Sequence, residues 1–343
     1  MYLIYFFLSF VIFALLYLVF RKLNFLVENP SYSSHKILGS ENKSPIIIGG
    51  LYFLITISIF HPVITINLNI ALLLIICIGL LSDRNILPNP RIRLVFQIII
   101  LFLIVFIENL SINDLKFEPL NFLLSNNFFG LFFTVFCLAV LLNGSNFLDG
   151  LNGLISGYFL MVILSLIFLG NLNIDTLITD QKFLYILFYI LLVFFIFNLF
   201  GIVYLGDSGS YALALLIGVY LINFNSSNNL ISPYYVAVML WYPAFENLFS
   251  LVRRVMEKKN VSSADNYHLH QLVFLFLKSK KIFKSKILNS TTSLLIILFN
   301  LPSIMISNYY VSKSSTLMII LLINIFIYLL VYYVLFQNLV KKK

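Results

Sequence analysis

The chain has 343 residues, 61% of them hydrophobic, 17% aromatic and only 10% charged, a balance that excludes a soluble globular domain of this size. Its formal net charge is +9, which membrane-facing loops beside anionic lipid headgroups account for without any nucleic acid partner. Cys77 and Cys137 both lie inside apolar runs, where their spacing allows neither a disulfide framework nor a metal-binding pair, so they read as packing residues.

A spanning helix needs about 20 mostly apolar residues. Eleven such runs follow one another, at about 2-20, 46-66, 68-82, 92-108, 128-142, 151-170, 183-203, 208-224, 233-250, 292-311 and 315-338. The expectation is an all-α polytopic transmembrane bundle of about 11 spans, one membrane domain over 1-343 with a cytosolic loop at about 251-290. Arg21 and Lys22 follow the first run and no basic residue precedes it, the reverse of a secretory signal, so it reads as a retained span with its N-terminus outside. Threading the other runs from that start places every Lys and Arg except Lys116, Lys182 and Lys313 on one side, which the positive-inside rule makes cytosolic, C-terminus included. The outer loops carry Glu108, Asp114, Glu118, Asp175 and Asp180 instead.

Polar residues in such a chain are costly and point to function unless a solvated loop explains them. In chain order, His35 and Lys36 stand in SSHK, and Gly49-Gly50 open the second span. Asp83 closes the third span in GLLSDRNILPNPRIRLVFQ, with Arg91, Arg93 and Gln97 opening the fourth; a capped turn with snorkelling arginines explains it as well as a site does. NGSNFLDGLNGL at 143-154 reads as a loop whose glycines let backbone N–H groups approach a phosphorylated ligand, with Asn143 and Asn146 offering amides around Asp149. In YLGDSGSYALALLIG, Asp207 is either an N-cap or a metal ligand beside a helix N-terminus that welcomes phosphate. Glu246 lies a turn or two from the cytosolic boundary, within reach of pairing with Arg253 or Arg254. DNYHLHQ at 265-271 brings His268 and His270, whose joint use requires an irregular segment; phosphate or sugar contact suits them better than zinc, which would want further soft ligands. His61 falls near the outer face and reads as incidental.

Three acids, Asp83, Asp149 and Asp207, thus recur at cytosolic helix ends among Gly, Asn, Arg and His, an inventory suited to Mg²⁺-assisted phosphoryl transfer between a lipid and a soluble nucleotide. No Walker A or kinase signature is present. The order SHK, PIIIGG, SD, RIRLVFQ, NGSNFLDGLNGL, LGDSGS and DNYHLHQ resembles the polyprenyl-phosphate N-acetylhexosamine-1-phosphate transferases.

That resemblance implies a UDP-N-acetylhexosamine donor, undecaprenyl phosphate as acceptor, UMP as by-product and Mg²⁺ as cofactor, with Mn²⁺ as its substitute, at the cytosolic face of a bacterial inner membrane. It implies Asp207 as principal metal ligand, Asp149 flanking it as a second, and Asp83 beside the diphosphate and the lipid phosphate. Asn146, Lys36, Arg91, Arg93, His268 and His270 would hold substrate, with Tyr204 against the uracil. Two departures stand out. Ser82 replaces the first of a commonly paired acid, yet the acceptor phosphate, with a second pKa of about 6, is largely dianionic at pH 7 and needs no base, so activity is expected. Asn152 stands where many members carry an acid on the nucleotide base; an amide still bonds uracil. The final loop lacks the histidine triplet of the peptidoglycan-type enzyme, which favours an initiator of surface polysaccharide of O-antigen type. The competing readings are the peptidoglycan step and a transporter or flippase, and the possibility of a homodimer stays open.

Overall fold

In the computed structural model the described residues are 2–27, 45–60, 65–171, 181–228, 230–259 and 265–341. Lys36, His35 and His61 lie outside them.

Among these residues the chain forms thirteen α-helices: α1 (Leu3–Lys22), α2 (Gly49–Phe60), α3 (Ile66–Asp83), α4 (Pro90–Ile107), α5 (Glu118–Leu124), α6 (Asn127–Leu148), α7 (Leu154–Asn171), α8 (Gln181–Leu199), α9 (Gly206–Ser226), α10 (Pro233–Met256), α11 (Leu269–Ser279), α12 (Ser285–Ser307) and α13 (Ser314–Phe336). Nine of them are long and apolar enough to cross a membrane; α2, α7 and α11 are shorter apolar helices. Each of the eleven apolar runs overlaps one of the nine, α2 or α7, though α6, α10 and α12 run well beyond the expected limits at one end, so that 251–256 and 285–290 are helix and not loop. The two remaining ones, α5 between α4 and α6 and α11 between α10 and α12, are additions to what the apolar runs foretold.

Local chemistry explains several starts. Asn89 accepts the Arg91 N–H ahead of Pro90, and Ser232 accepts the Tyr234 N–H ahead of Pro233, so a polar cap and an N1 proline open α4 and α10 alike. Thr65 and Asn126 cap α3 and α6 through their side-chain oxygens, without a proline.

The bundle is organised around α9, in which every residue from Gly206 to Val219 is buried. It packs on α2, α3 and α6. Close approach is set by glycine. A methyl group on Gly79 of α3 would stand 2.3 Å from Ser208 Cα, and one on Gly49 of α2 would stand 2.5 Å from the Leu205 carbonyl oxygen. Neither helix could lie so near the start of α9 with a larger residue there.

One element departs from an all-α plan. Ile46–Ile47 (β1) and Val203–Tyr204 (β2) form a short parallel pair, with Ile46 opposite Val203 and Ile47 opposite Tyr204. The pair brings the PIIIGG segment alongside the approach to LGDSGS.

The second difference lies in NGSNFLDGLNGL. α6 runs unbroken to Leu148, so Asn143 to Phe147 are helix, and only 149-153 form the turn into α7. Gly144 is therefore no phosphate cradle. A methyl group there would stand 2.0 Å from the Pro243 carbonyl oxygen, which makes Gly144 the contact at which α6 and α10 meet. Gly153 does take a turn conformation, at φ +78°, which favours glycine.

Candidate active site

The first turn of α9 draws acids from three parts of the chain. Its amide donors, orphaned at any helix start, need acceptors. Gly206 N–H donates to Asp149 Oδ2 at 3.1 Å. Asp207 N–H donates to Asp83 Oδ1 at 2.8 Å, while Ser208 donates to Asp83 Oδ2 through its N–H at 3.2 Å and its hydroxyl at 2.9 Å. Asp83, from the end of α3, thus caps α9 from outside, and the positive end of the helix dipole favours both carboxylates. These amides, expected to greet phosphate oxygens, are occupied by carboxylates. An anion arriving at this turn would need cationic partners.

Asp207 itself is buried. Its Oδ2 accepts from Arg93 at 2.5 Å and from the Ser82 hydroxyl at 2.6 Å, and Arg93 also contacts that hydroxyl. The sequence placed Ser82 as a missing acid; here its hydroxyl is a donor to Asp207.

Asn146, in the last turns of α6, lies beside the same turn. Its side-chain amide donates to Tyr211 Oη at 3.3 Å, and its Oδ1 accepts from Ser210 at 3.4 Å. Asn143 donates instead to Gln97 and to the Ala139 carbonyl oxygen, a bridge from α6 to α4. Arg91 stands in the exposed first turn of α4. Tyr204 is half-buried in β2, its carbonyl oxygen accepting from Ile48 N–H at 3.3 Å. Asn152 donates its backbone N–H to Asn289 at 2.6 Å and its side chain crowds Gly201, which ties it to α12 and to the turn after α8.

The histidine segment closes the other flank. His268 has extended backbone, φ −68° and ψ 149°, and His270 lies in the first turn of α11. This is the irregular start that lets residues two apart share a face: their rings stack at 5.5 Å, and Phe147 lies 4.9 Å from His268. A methyl group on Gly150 would stand 3.1 Å from His270 Nε2, so this ring borders the residue next to Asp149. Both nitrogens of His270 are buried without a hydrogen-bond partner. Burial pushes this imidazole down to about 3, so it is neutral at physiological pH.

Glu246 does not pair with Arg253 or Arg254. Its Oε1 meets His268 Nδ1 at 3.0 Å and accepts the Leu269 N–H at 3.1 Å, fixing the start of α11. The two arginines go to Asp265, Arg254 at 3.4 Å and Arg253 closer, with Ser250 donating at 2.8 Å. The Glu246–His268 contact links α10 to a loop residue, and no spacing in the sequence announces it.

Among the described residues no three His, Cys, Asp or Glu side chains form a ready-made metal cage. The donor set nevertheless suits Mg²⁺, a hard cation that takes one or two carboxylates and completes its shell with water and phosphate oxygens.

The sequence model of glycosyl transferase family 4 matches residues 65–225, from the cap of α3 to the last turn of α9, and over this stretch the chain is similar to that transferase family. The match takes in the segments bearing Asp83, Arg93, Asp149 and Asp207 and stops before DNYHLHQ. Among individual proteins, the chain is 26% identical over 144 residues to the probable undecaprenyl-phosphate N-acetylglucosaminyl 1-phosphate transferase of Bacillus subtilis (strain 168). That alignment covers 42% of this chain and 40% of the relative.

Proposed function

We propose that this protein transfers an N-acetylhexosamine 1-phosphate from a UDP-sugar to undecaprenyl phosphate, releasing UMP, as the first membrane step of a surface polysaccharide of O-antigen type. The observation that carries the reading is the convergence of Asp83, Asp149 and Asp207 on the Gly206–Ser208 turn, with Arg93 on Asp207 and Asn146 beside it. The family match over 65–225 supports the reaction class, and the name of the Bacillus relative favours an N-acetylglucosamine-type donor over the peptidoglycan step.

In this reading an oxygen of the lipid phosphate attacks the phosphorus that bears the sugar. The new P–O bond forms as the bond from that phosphorus to the UMP oxygen breaks, and UMP leaves with the electron pair. Bound Mg²⁺, held by Asp207 with Asp149, would draw charge off the diphosphate oxygens. Asp83 holds the turn that presents Asp207. Arg91, Arg93 and the neutral His270 supply donors to phosphate or sugar, as does His268, oriented by Glu246. Asn146 and Asn152 add amides, and Tyr204 an aromatic face for uracil. The acceptor needs no base to become nucleophilic, so Ser82 is compatible with turnover.

The frame for this chemistry is a single membrane domain of eleven spans in a bacterial inner membrane, with the N-terminus periplasmic and the 251-290 loop, the acids and the C-terminus cytosolic. The test is UMP release by the purified full chain with UDP-N-acetylglucosamine, undecaprenyl phosphate and Mg²⁺, beside an Asp207→Ala control. Release dependent on lipid, metal and Asp207 supports the assignment. Silence across a panel of UDP-sugars from folded protein overturns it.

A further inference from the structure

The cationic partner of Asp207 carries an inference of its own. Ser82 is neutral, so the Arg93 guanidinium finds no acid at position 82 and turns to Asp207 Oδ2 at 2.5 Å. The Ser82 hydroxyl, 2.6 Å from the same oxygen, seats the contact. The seating is incomplete, since Arg93 Nε is buried with no hydrogen-bond partner. A buried donor left unmade costs free energy, so this position of the arginine is poised and not locked. A divalent cation on Asp207 would sit about 2 Å from a carboxylate oxygen. A guanidinium on that same oxygen would then lie within a few ångströms of the metal charge, and repulsion at that range opposes joint occupancy.

We propose that Arg93 is a placeholder for the cation: it neutralises Asp207 in the empty site and is released, free to meet an incoming phosphate, when Asp207 accepts the metal. The inference rests on the reading of Asp207 as a metal ligand. It has a quantitative consequence, because a ligand that binds only the open fraction of a site has its affinity reduced by that fraction. A pair closed for about nine-tenths of the time weakens the apparent cation affinity about tenfold.

The experiment measures Mn²⁺ binding to the full chain in lipid nanodiscs, without nucleotide or polyprenyl lipid, from the electron paramagnetic resonance of free Mn²⁺. Arg93→Gln is expected to lower the Kd about tenfold. Arg93→Lys, which keeps the charge and loses the fork, shifts it the same way by a smaller factor and serves if the first variant does not fold. Arg84, which stacks on Phe25 one residue from Asp83, is the charge control, and Arg84→Gln is expected to leave the Kd within about twofold of wild type. Equal tightening in the Arg84 and Arg93 variants would reduce the effect to the general field and overturn the placeholder. An unchanged or weaker Kd in both Arg93 variants would do the same, and if Asp207→Asn had lost Mn²⁺ binding, the metal site itself would survive. Wild-type affinity in Asp207→Asn would remove both.

Discussion

Asp83 and Asp207, 124 residues apart, meet through the backbone: the Asp207 N–H donates to Asp83 Oδ1 at 2.8 Å. The acid at the end of α3 therefore fixes where the acid at the start of α9 points, and the two should answer differently to mutation. Asp83→Ala strands the Asp207 and Ser208 amides and should cost about 1–3 kcal/mol of stability together with activity. Asp207→Asn should abolish the proposed transferase activity with a much smaller loss of stability. Thermal unfolding in detergent, run beside UMP release on both variants, reads the contrast, and equal stability losses would contradict it.

His270 offers the opposite signature. Its two ring nitrogens are buried without partners, so the protein gains little from their polarity. His270→Phe should leave the unfolding temperature unchanged or raised while kcat/KM for the proposed transfer falls by at least about tenfold, the loss of the one to two hydrogen bonds this ring is proposed to make to substrate. Full activity in a stable His270→Phe protein would make the ring a packing residue.

Glycine spacing makes a third prediction. Gly79→Ala drives a methyl group into Ser208 Cα at 2.3 Å, displacing the turn that carries Asp207, and overpacking of this kind typically costs about 1–3 kcal/mol. At Gly130, on the far half of α6, the nearest atom to the new methyl is 3.6 Å away, so alanine is accommodated and its better helix propensity stabilises by up to about 1 kcal/mol. Expression level and unfolding temperature of the two variants should move in opposite directions.

Asp265 sets a pH response in the segment between α10 and α11. Burial alone would raise its pKa, but His268, Arg253, the Ser250 hydroxyl and Arg254 together bring it from 3.8 down to about 2. A carboxylate depressed on folding stabilises the native state above its unfolded value, and that contribution is lost as the pH falls through the folded one. Wild-type protein should keep this part of its stability down to about pH 4 and lose it towards pH 2. Asp265→Asn should already lack it at pH 7, and its unfolding temperature should fall less steeply across that window. Parallel curves for the two proteins would show that Asp265 is not the titrating group.

Much of the site was legible because acids are expensive at the edge of an apolar bundle, so Asp83, Asp149 and Asp207 stood out and the fold brings them to one turn. The glycines misled. Density of Gly and Asn at 143-154 read as a loop, yet LLNGSNFL holds no residue that breaks a helix outright, and Gly144 answers to Pro243 on another helix, a partner local spacing does not reveal. The same holds for Glu246: sequence proximity suggested Arg253 or Arg254, while its partner in the fold is His268, at the start of α11. The pairing of Ile46–Ile47 with Val203–Tyr204 was invisible for a further reason, since each run is only two residues long and carries no periodicity.

The burial of α9 bears on how the protein is made. A helix buried without interruption from Gly206 to Val219, carrying Asp207, Ser208 and Ser210 in its first two turns, is poorly suited to residence in bare lipid. The helices that line its seat, α2, α3 and α6, all precede it on the chain, and so does the Asp83 carboxylate that caps it. During synthesis the ribosome therefore delivers the socket before the plug, and membrane integration of α9 can draw on protein surfaces already waiting beside the translocation channel.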